Sequence, residues 1–270
     1  MHTPALLKEA VESLFVTSGD KFIDATFGEG GYSQEILRRG GKVLAIDLDR
    51  DQIQNLKSKI PNLKLIQGNF ANVEEIAKEN DFFPVAGVIF DLGLSMGQIE
   101  NSGRGFSYKK TDEPLDMRID AVNQTTAAAD LIRQKSPTEL YEVLAKNSEE
   151  IKSKIIAEEI KRGRKMESVG DLIGAIDRAV GFKSQSVYAR IFQALRMEIN
   201  HELDNLKRAL AGASRILKKN GRIVVVSFHS LEDRIVKNFG KQYRFLKKKP
   251  YSKKLGLSFE RSAKIRTIII

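Results

Sequence analysis

Gly28, Gly30 and Gly31 stand directly after a short apolar run, Phe22 to Thr26, and Asp47 stands directly after the next one, Lys42 to Ile46. A chain that leaves a buried strand and turns at once into a helix needs positive φ or a missing Cβ, and bare backbone lets a ligand approach closely. A carboxylate at the tip of the second strand can accept hydrogen bonds from both hydroxyls of a ribose. These residues therefore suit a nucleoside. Glu29 inside the turn would oppose a pyrophosphate, and Ser33 takes the third glycine place of G-x-G-x-x-G. S-adenosylmethionine has no phosphate, so both features favour it over a dinucleotide. Further along, Asp91 closes the apolar run VAGVIF and is followed by Ser95 and Gln98, and Phe70 follows a third run, so these side chains are expected at the same ligand-binding edge.

The elements that must position these groups follow from periodicity. Leu6 to Phe15 has apolar residues at helical spacing, and Ser33 to Arg39 and Val73 to Glu79 read as helices, as does Gln52 to Ile60. Strands are predicted at Phe22–Thr26, Lys42–Ile46, Leu63–Gln67, Val85–Phe90, Arg222–Ser227 and Lys264–Ile270. Arg104 to Asp120 has no period and is long for a structureless loop, and such loops are usually functional or disordered. From Thr125 to Leu217 the pattern is helical. Ser136-Pro137-Thr138-Glu139 is a capping box, Glu149 to Arg162 ends at Gly163, and Ser168 with Asp171 opens a helix to Val180 that Gly181 closes. Ser186 to Leu217 is expected as two helices or one bent helix, with Gly212 a mild interruption. The arithmetic is that of an α/β, doubly wound, Rossmann-like sheet with an inserted all-helical domain: residues 1–101 and 218–270 form the sheet domain and 102–217 the insertion.

Composition narrows the function classes. The 270 residues include no cysteine, and His2, His201 and His229 are far apart in sequence, so neither a thiolate nucleophile nor a metal site is expected. No apolar run is long enough to span a bilayer and no signal peptide is recognisable, which predicts a cytoplasmic protein without membrane partners. The net charge of +10 is concentrated at one end: residues 1–200 carry 27 basic against 30 acidic side chains, and residues 201–270 carry 18 against 5. Between Lys241 and Lys254 seven basic residues meet no acid and interleave with Tyr243, Phe245 and Tyr251. Cations beside stacking rings suit a nucleic acid with exposed bases.

At the level of whole motifs, the chain resembles the bacterial ribosomal RNA small subunit methyltransferase H family (MraW). The resemblance rests on HTPALLKEAV, DATFGEGGYS, AIDLD, DLGLS with Gln98, RGFSY, EPLDMRID, FQALRMEINHEL, SFHSLEDRIVK and RSAKIR, in the family's order. It implies an S-adenosylmethionine-dependent enzyme that methylates N4 of a cytidine in 16S rRNA, with the small ribosomal subunit as partner and the insertion, 102–217, as the domain expected to recognise the RNA substrate. It also implies cofactor contacts at Gly30, Gly31, Tyr32, Asp47, Phe70, Asp91 and Gln98. For such a reaction the amine must lie in line with the sulfonium methyl and its hydrogens must find acceptors; the candidates are Asp91 with the carbonyls of DLGLS, Asp116 in PLDMR, and Ser227 or His229 in SFHSLEDR, with Asp116 and His229 favoured because Asp91 is assigned to the cofactor. The chain departs from the family at Tyr32, where histidine is usual, and at Met96, where serine is usual. An RNA-binding assembly factor that keeps the fold without methyl transfer is the alternative function.

Overall fold

The computed structural model describes residues 4–50, 53–54, 60, 63–163, 165–247, 249–252 and 262–270. The helix expected over Gln52 to Ile60 falls largely outside these, as do His2, Lys248, Lys253 and Lys254. The chain forms two compact units, Met1–Leu94 with Leu203–Ile270, and Ser95–Glu202.

The first unit is a seven-stranded sheet. Its strands are β1 (Lys21–Asp24), β2 (Lys42–Asp47), β3 (Lys64–Gln67), β4 (Val85–Asp91), β5 (Leu217–Ser227), β6 (Arg244–Phe245) and β7 (Lys264–Ile269). They lie in the order β3-β2-β1-β4-β5-β7-β6. β1 to β5 pair in parallel, and β7 runs antiparallel to both β5 and β6. The expected doubly wound α/β sheet is therefore present. The order reverses between β1 and β4, and open sheets of this kind bind ligands outside the carboxyl ends of the strands at that point.

Side chains alternate between two cores, because successive strand residues face opposite sides. Phe22, Val43, Ala45, Ile89, Val224 and Val226 pack with helices α1 (Leu7–Leu14) and α2 (Gly31–Arg38). Ile23, Leu44, Ile46, Val88, Phe90 and Val225 face the other way, against α3 (Val73–Glu79) and against Leu206, Ala209, Leu210 and Ala213 of the helix over 202–216. That last helix was grouped by its periodicity with the helical stretch, yet it covers the sheet.

In the second unit the described helices are α4 (Met96–Asn101), α5 (Ala128–Gln134), α6 (Pro137–Ser148), α7 (Ser153–Arg162), α8 (Val169–Val180) and α9 (Gln185–Ile199). The capping boxes at Ser136 and Ser168 form as the sequence predicts. The helix expected from Glu149 begins only at Ser153, because Glu149, at φ 54, ends α6 in the left-handed conformation. Helix α10 (Glu202–Ile216) follows α9, and α11 (Ser230–Phe239) follows β5. The break between α9 and α10 falls at Asn200 and His201, the latter at φ 51, and Gly212 lies inside α10. Among the described residues no helix is long and apolar enough to cross a membrane.

Candidate active site

The turn after β1 is shaped by packing as well as by conformation. Gly30 sits at φ +81, where a Cβ would also strike the Phe27 ring at 2.7 Å, and a Cβ on Gly31 would collide with the Pro4 ring. The segment before α1 thus lies directly on the glycine turn. The Gly28 amide donates to Asp47 Oδ2 at 2.7 Å, and the Asp49 amide donates to Asp47 Oδ1 at 2.8 Å. Each carboxylate oxygen accepts more than one hydrogen bond, so Asp47 is held by its own loop while keeping lone pairs for two ribose hydroxyls.

Three carboxyls converge on this edge, one from each of β1, β2 and β4. Asp24, fully buried, takes both the amide (3.1 Å) and hydroxyl (2.6 Å) of Ser33 on Oδ2 and so anchors the first turn of α2. Asp91 is oriented from three sides: its amide donates to Thr26 Oγ1 at 2.6 Å, Oδ2 accepts from the Tyr32 hydroxyl at 3.1 Å, and Oδ1 faces the Gly93 amide at 3.4 Å. Burial is the main reason that all three carboxyls titrate high, Asp24 at about 6 and Asp47 and Asp91 at about 7. Mutual repulsion adds to this: Asp49 and Asp24 raise Asp47, and Asp24 and Glu232 raise Asp91. The edge thus gathers carboxyls whose repulsion an organic cation would relieve.

Tyr32 is 2% exposed, and its single hydroxyl hydrogen is shared between Asp91 and the Ala5 carbonyl, which lies at 2.6 Å. It links the segment before α1, the glycine turn and Asp91. Phe70 follows β3 in a short 3-10 turn capped by Asn69, and its ring packs edge-on against Phe90 at 6.0 Å. His229 is the N-cap of α11: Nδ1 accepts from the Glu232 amide at 3.4 Å, and Nε2 lies 2.9 Å from Glu232 Oε1, out of line for a hydrogen bond. The Glu232 carboxylate in turn accepts from the Phe228 amide at 2.9 Å. Both ring nitrogens of His229 therefore face its own first helical turn.

Gln98 and Asp116 belong to the second unit. The Gln98 side-chain oxygen accepts from the Ser95 amide at 3.0 Å while Ser95 Oγ accepts from the Gln98 amide at 3.2 Å, a capping box that opens α4. Asp116 grips Arg118 in a two-pronged pair, Nε to Oδ1 and Nη2 to Oδ2, both at 2.7 Å. Desolvation acts to raise the Asp116 carboxyl, but the bonds from Arg118 and the nearby Arg104 charge prevail and hold it below the usual range. Arg104 donates to the carbonyls of Arg118 and Ile119 at 3.0 and 2.7 Å. The irregular stretch after α4 is ordered by long-range bonds: Asn200 donates to Met117 O at 2.8 Å and accepts from the Ile119 amide at 2.9 Å.

Sequence reasoning singled out neither Asp24, Thr26 nor Asn200. An acid at the end of an apolar strand was the available signal for Asp24; nothing local marks Asn200, whose partners are some eighty residues away. Arg196 binds Glu202 at 2.8 and 2.9 Å, and Glu198 accepts from Asn147 at 3.1 Å. Two rings of the basic segment are also committed elsewhere. Tyr243 tilts against Phe239 at 5.4 Å and Phe245 lies under the Arg266 guanidinium at 5.8 Å. Stacking there has already been used to hold β6, while Lys241, Arg244, Lys247 and Lys249 stay exposed. Among the described residues no group of three or more His, Asp and Glu could hold a metal ion.

Comparison with known proteins identifies relatives of the chain. A model of the MraW methylase family matches residues 1–268. The chain is 41% identical over 247 residues to Ribosomal RNA small subunit methyltransferase H of Dehalococcoides mccartyi, covering 88% of this chain and 70% of that protein. The protein of the same name from Cytophaga hutchinsonii is 41% identical over 252 residues, covering 90% and 84%. That from Dictyoglomus thermophilum is 42% identical over 254 residues, covering 90% and 85%.

Proposed function

Because the chain belongs to the MraW methylase family, we propose that it is an S-adenosylmethionine-dependent methyltransferase acting on the exocyclic N4 of a cytidine in 16S rRNA of the small ribosomal subunit. The observation that carries the cofactor assignment is Asp47, tethered on both oxygens by loop amides and still able to accept from a ribose. The bound cofactor would supply an electrophilic methyl group on a sulfonium. That methyl would pass to the N4 lone pair, the electrons of the S–C bond would stay on sulfur, and the proton displaced from N4 would pass through the acceptor beside the amine to solvent.

The chain's own residues orient and balance charge. Asp47 takes the ribose hydroxyls, Gly30, Gly31 and Tyr32 line the turn, Phe70 serves the adenine, and Asp91 and Gln98 complete the cofactor contacts. Ionised Asp24 and Asp91 offset the positive charge of the cofactor in a poorly solvated pocket. Asp116 is the better of the two N4–H acceptors: Arg118 keeps it ionised, and its oxygens retain lone pairs. His229 acts mainly as a helix cap.

The test is transfer of labelled methyl from S-adenosylmethionine to small subunits lacking the modification, with the product nucleoside identified by mass spectrometry. N4-methylcytidine at one site is expected. Transfer to another atom would overturn the N4 assignment. RNA binding with neither transfer nor cofactor binding would favour the non-catalytic assembly factor. Asp116→Asn should lower kcat about a hundredfold with cofactor affinity unchanged by calorimetry; unaltered turnover would remove Asp116 from the reaction.

A further inference from the structure

One end of the helical unit combines exposed apolar surface with positive charge. The corner between α6 and α7 exposes Ile151 at 99%, and Ile155 in the first turn of α7 is 43% exposed. The corner between α8 and α9 exposes the Phe182 ring at 58%. The two corners adjoin, because Lys152 Nζ donates to Val180 O at 3.2 Å and lies 5.1 Å from the centre of the Phe182 ring. That ammonium sits against both the ring and the carbonyl two residues before it, so the ring is held in place although most of it is open. A platform fixed in advance loses less entropy when something stacks on it.

The surrounding charge favours an anionic partner. Lys146, Lys154 and Lys183 are exposed in these corners and the helical turns beside them, and the partly buried Lys152 adds a fourth positive charge. Of the acids there, Glu150 is bound by the Arg190 guanidinium, with Nε at 2.9 Å, and by the Lys152 amide at 3.0 Å, which leaves Glu149 as the exposed acid in the α6–α7 corner. A protein-docking face would be expected to present a broader apolar area with fewer lysines at its centre. A planar ring among lysines is instead the arrangement that takes an unstacked base with its flanking phosphates.

We propose that this end of the helical unit, centred on Phe182, docks single-stranded or loop segments of ribosomal RNA, with the ring stacking on a base and Lys154 and Lys183 contacting phosphates. The proposal rests on the reading of the chain as an rRNA methyltransferase and adds a substrate contact outside the residues assigned to chemistry. The surface binds RNA; it does not take part in methyl transfer.

Steady-state transfer to unmodified small subunits separates the two roles. Phe182→Ala should raise KM for the subunit about tenfold with kcat within roughly twofold, because stacking lost here changes binding alone. Lys154→Glu with Lys183→Glu should also raise KM, and should flatten the dependence of log KM on log salt by roughly 1.4, the value for two lost single-strand phosphate contacts. Cofactor affinity by calorimetry and melting temperature should stay at wild-type values, since all three side chains are exposed. KM unchanged in both variants would overturn the proposal. A photoreactive benzophenone amino acid in place of Phe182 gives a readout independent of turnover. Crosslinking to 16S rRNA in the subunit supports the proposal, whereas crosslinking only to a ribosomal protein, or none, overturns it. Absence of methyl transfer by the unmodified enzyme would instead count against the proposed function, and the crosslink would still decide the surface.

Discussion

At the scale of single residues, the acidic edge makes the protein sensitive to pH in two opposed ways. The carboxyls of Asp24, Asp47 and Asp91 titrate above their unfolded values. Their contribution to the stability of the cofactor-free protein is therefore fully present below about pH 4 and is lost as pH rises through about 6 to 7. Asp24→Asn removes one such charge, and because Asp24 is raised to about 6 and each pKa unit is about 1.4 kcal/mol, the free variant should melt several degrees above wild type at pH 8 and no higher at pH 4. Cofactor affinity should change in the opposite sense, rising as pH passes 7 and the carboxylates ionise; a flat calorimetric profile from pH 5.5 to 8.5 would refute this. Tyr32 acts through Asp91, which its hydroxyl holds at 3.1 Å. Tyr32→Phe should weaken cofactor binding about tenfold, the scale of a hydrogen bond to a charged group, and should move its pH midpoint upward, a shift that a purely structural loss would not produce.

At the scale of elements, two positions show how local signals are overruled by packing. Gly212 reads as an interruption, yet the helix runs through it, because a Cβ there would sit only 3.3 Å from both Glu74 Cβ and Val73 Cγ1 of α3. The glycine is there for close approach. Gly212→Leu should cost about 1–3 kcal/mol through overpacking, seen as a lower midpoint in urea. The true break lies at Asn200 and His201, and Asn200 is where the irregular stretch after α4 is secured. It is 4% exposed and bonds Met117, Ile119 and Arg196. Asn200→Leu leaves those backbone groups unsatisfied, at about 1–3 kcal/mol each. Limited proteolysis of that variant should cut between 102 and 127, and unchanged protection would show that other bonds suffice to hold the stretch.

At the scale of the whole molecule, one chain makes a sheet unit from two separated segments and a helical unit from one continuous segment. Each has its own core, so residues 95–202 expressed alone should give a helical circular dichroism spectrum with a cooperative thermal transition; a non-cooperative melt would mean that the segment needs the rest of the chain to fold. The sequence by itself determined most of the element list and the gathering of the glycine turn, Asp47 and Asp91 at the strand ends, because strand and helix periodicity, capping boxes such as Ser136 with Glu139, glycine turns and acids at strand ends are written in neighbouring residues. It also carried the family resemblance, whose motifs run the length of the chain. Tertiary structure alone decided the order of the strands, the antiparallel placing of β7 between β5 and β6, and the identity of side-chain partners. Tyr32 reaches Asp91, Asn200 reaches Met117, and Tyr243 and Phe245 turn inward to hold β6. Such contacts join residues distant in sequence, and local periodicity can state which face of an element is apolar but not which other element will cover it.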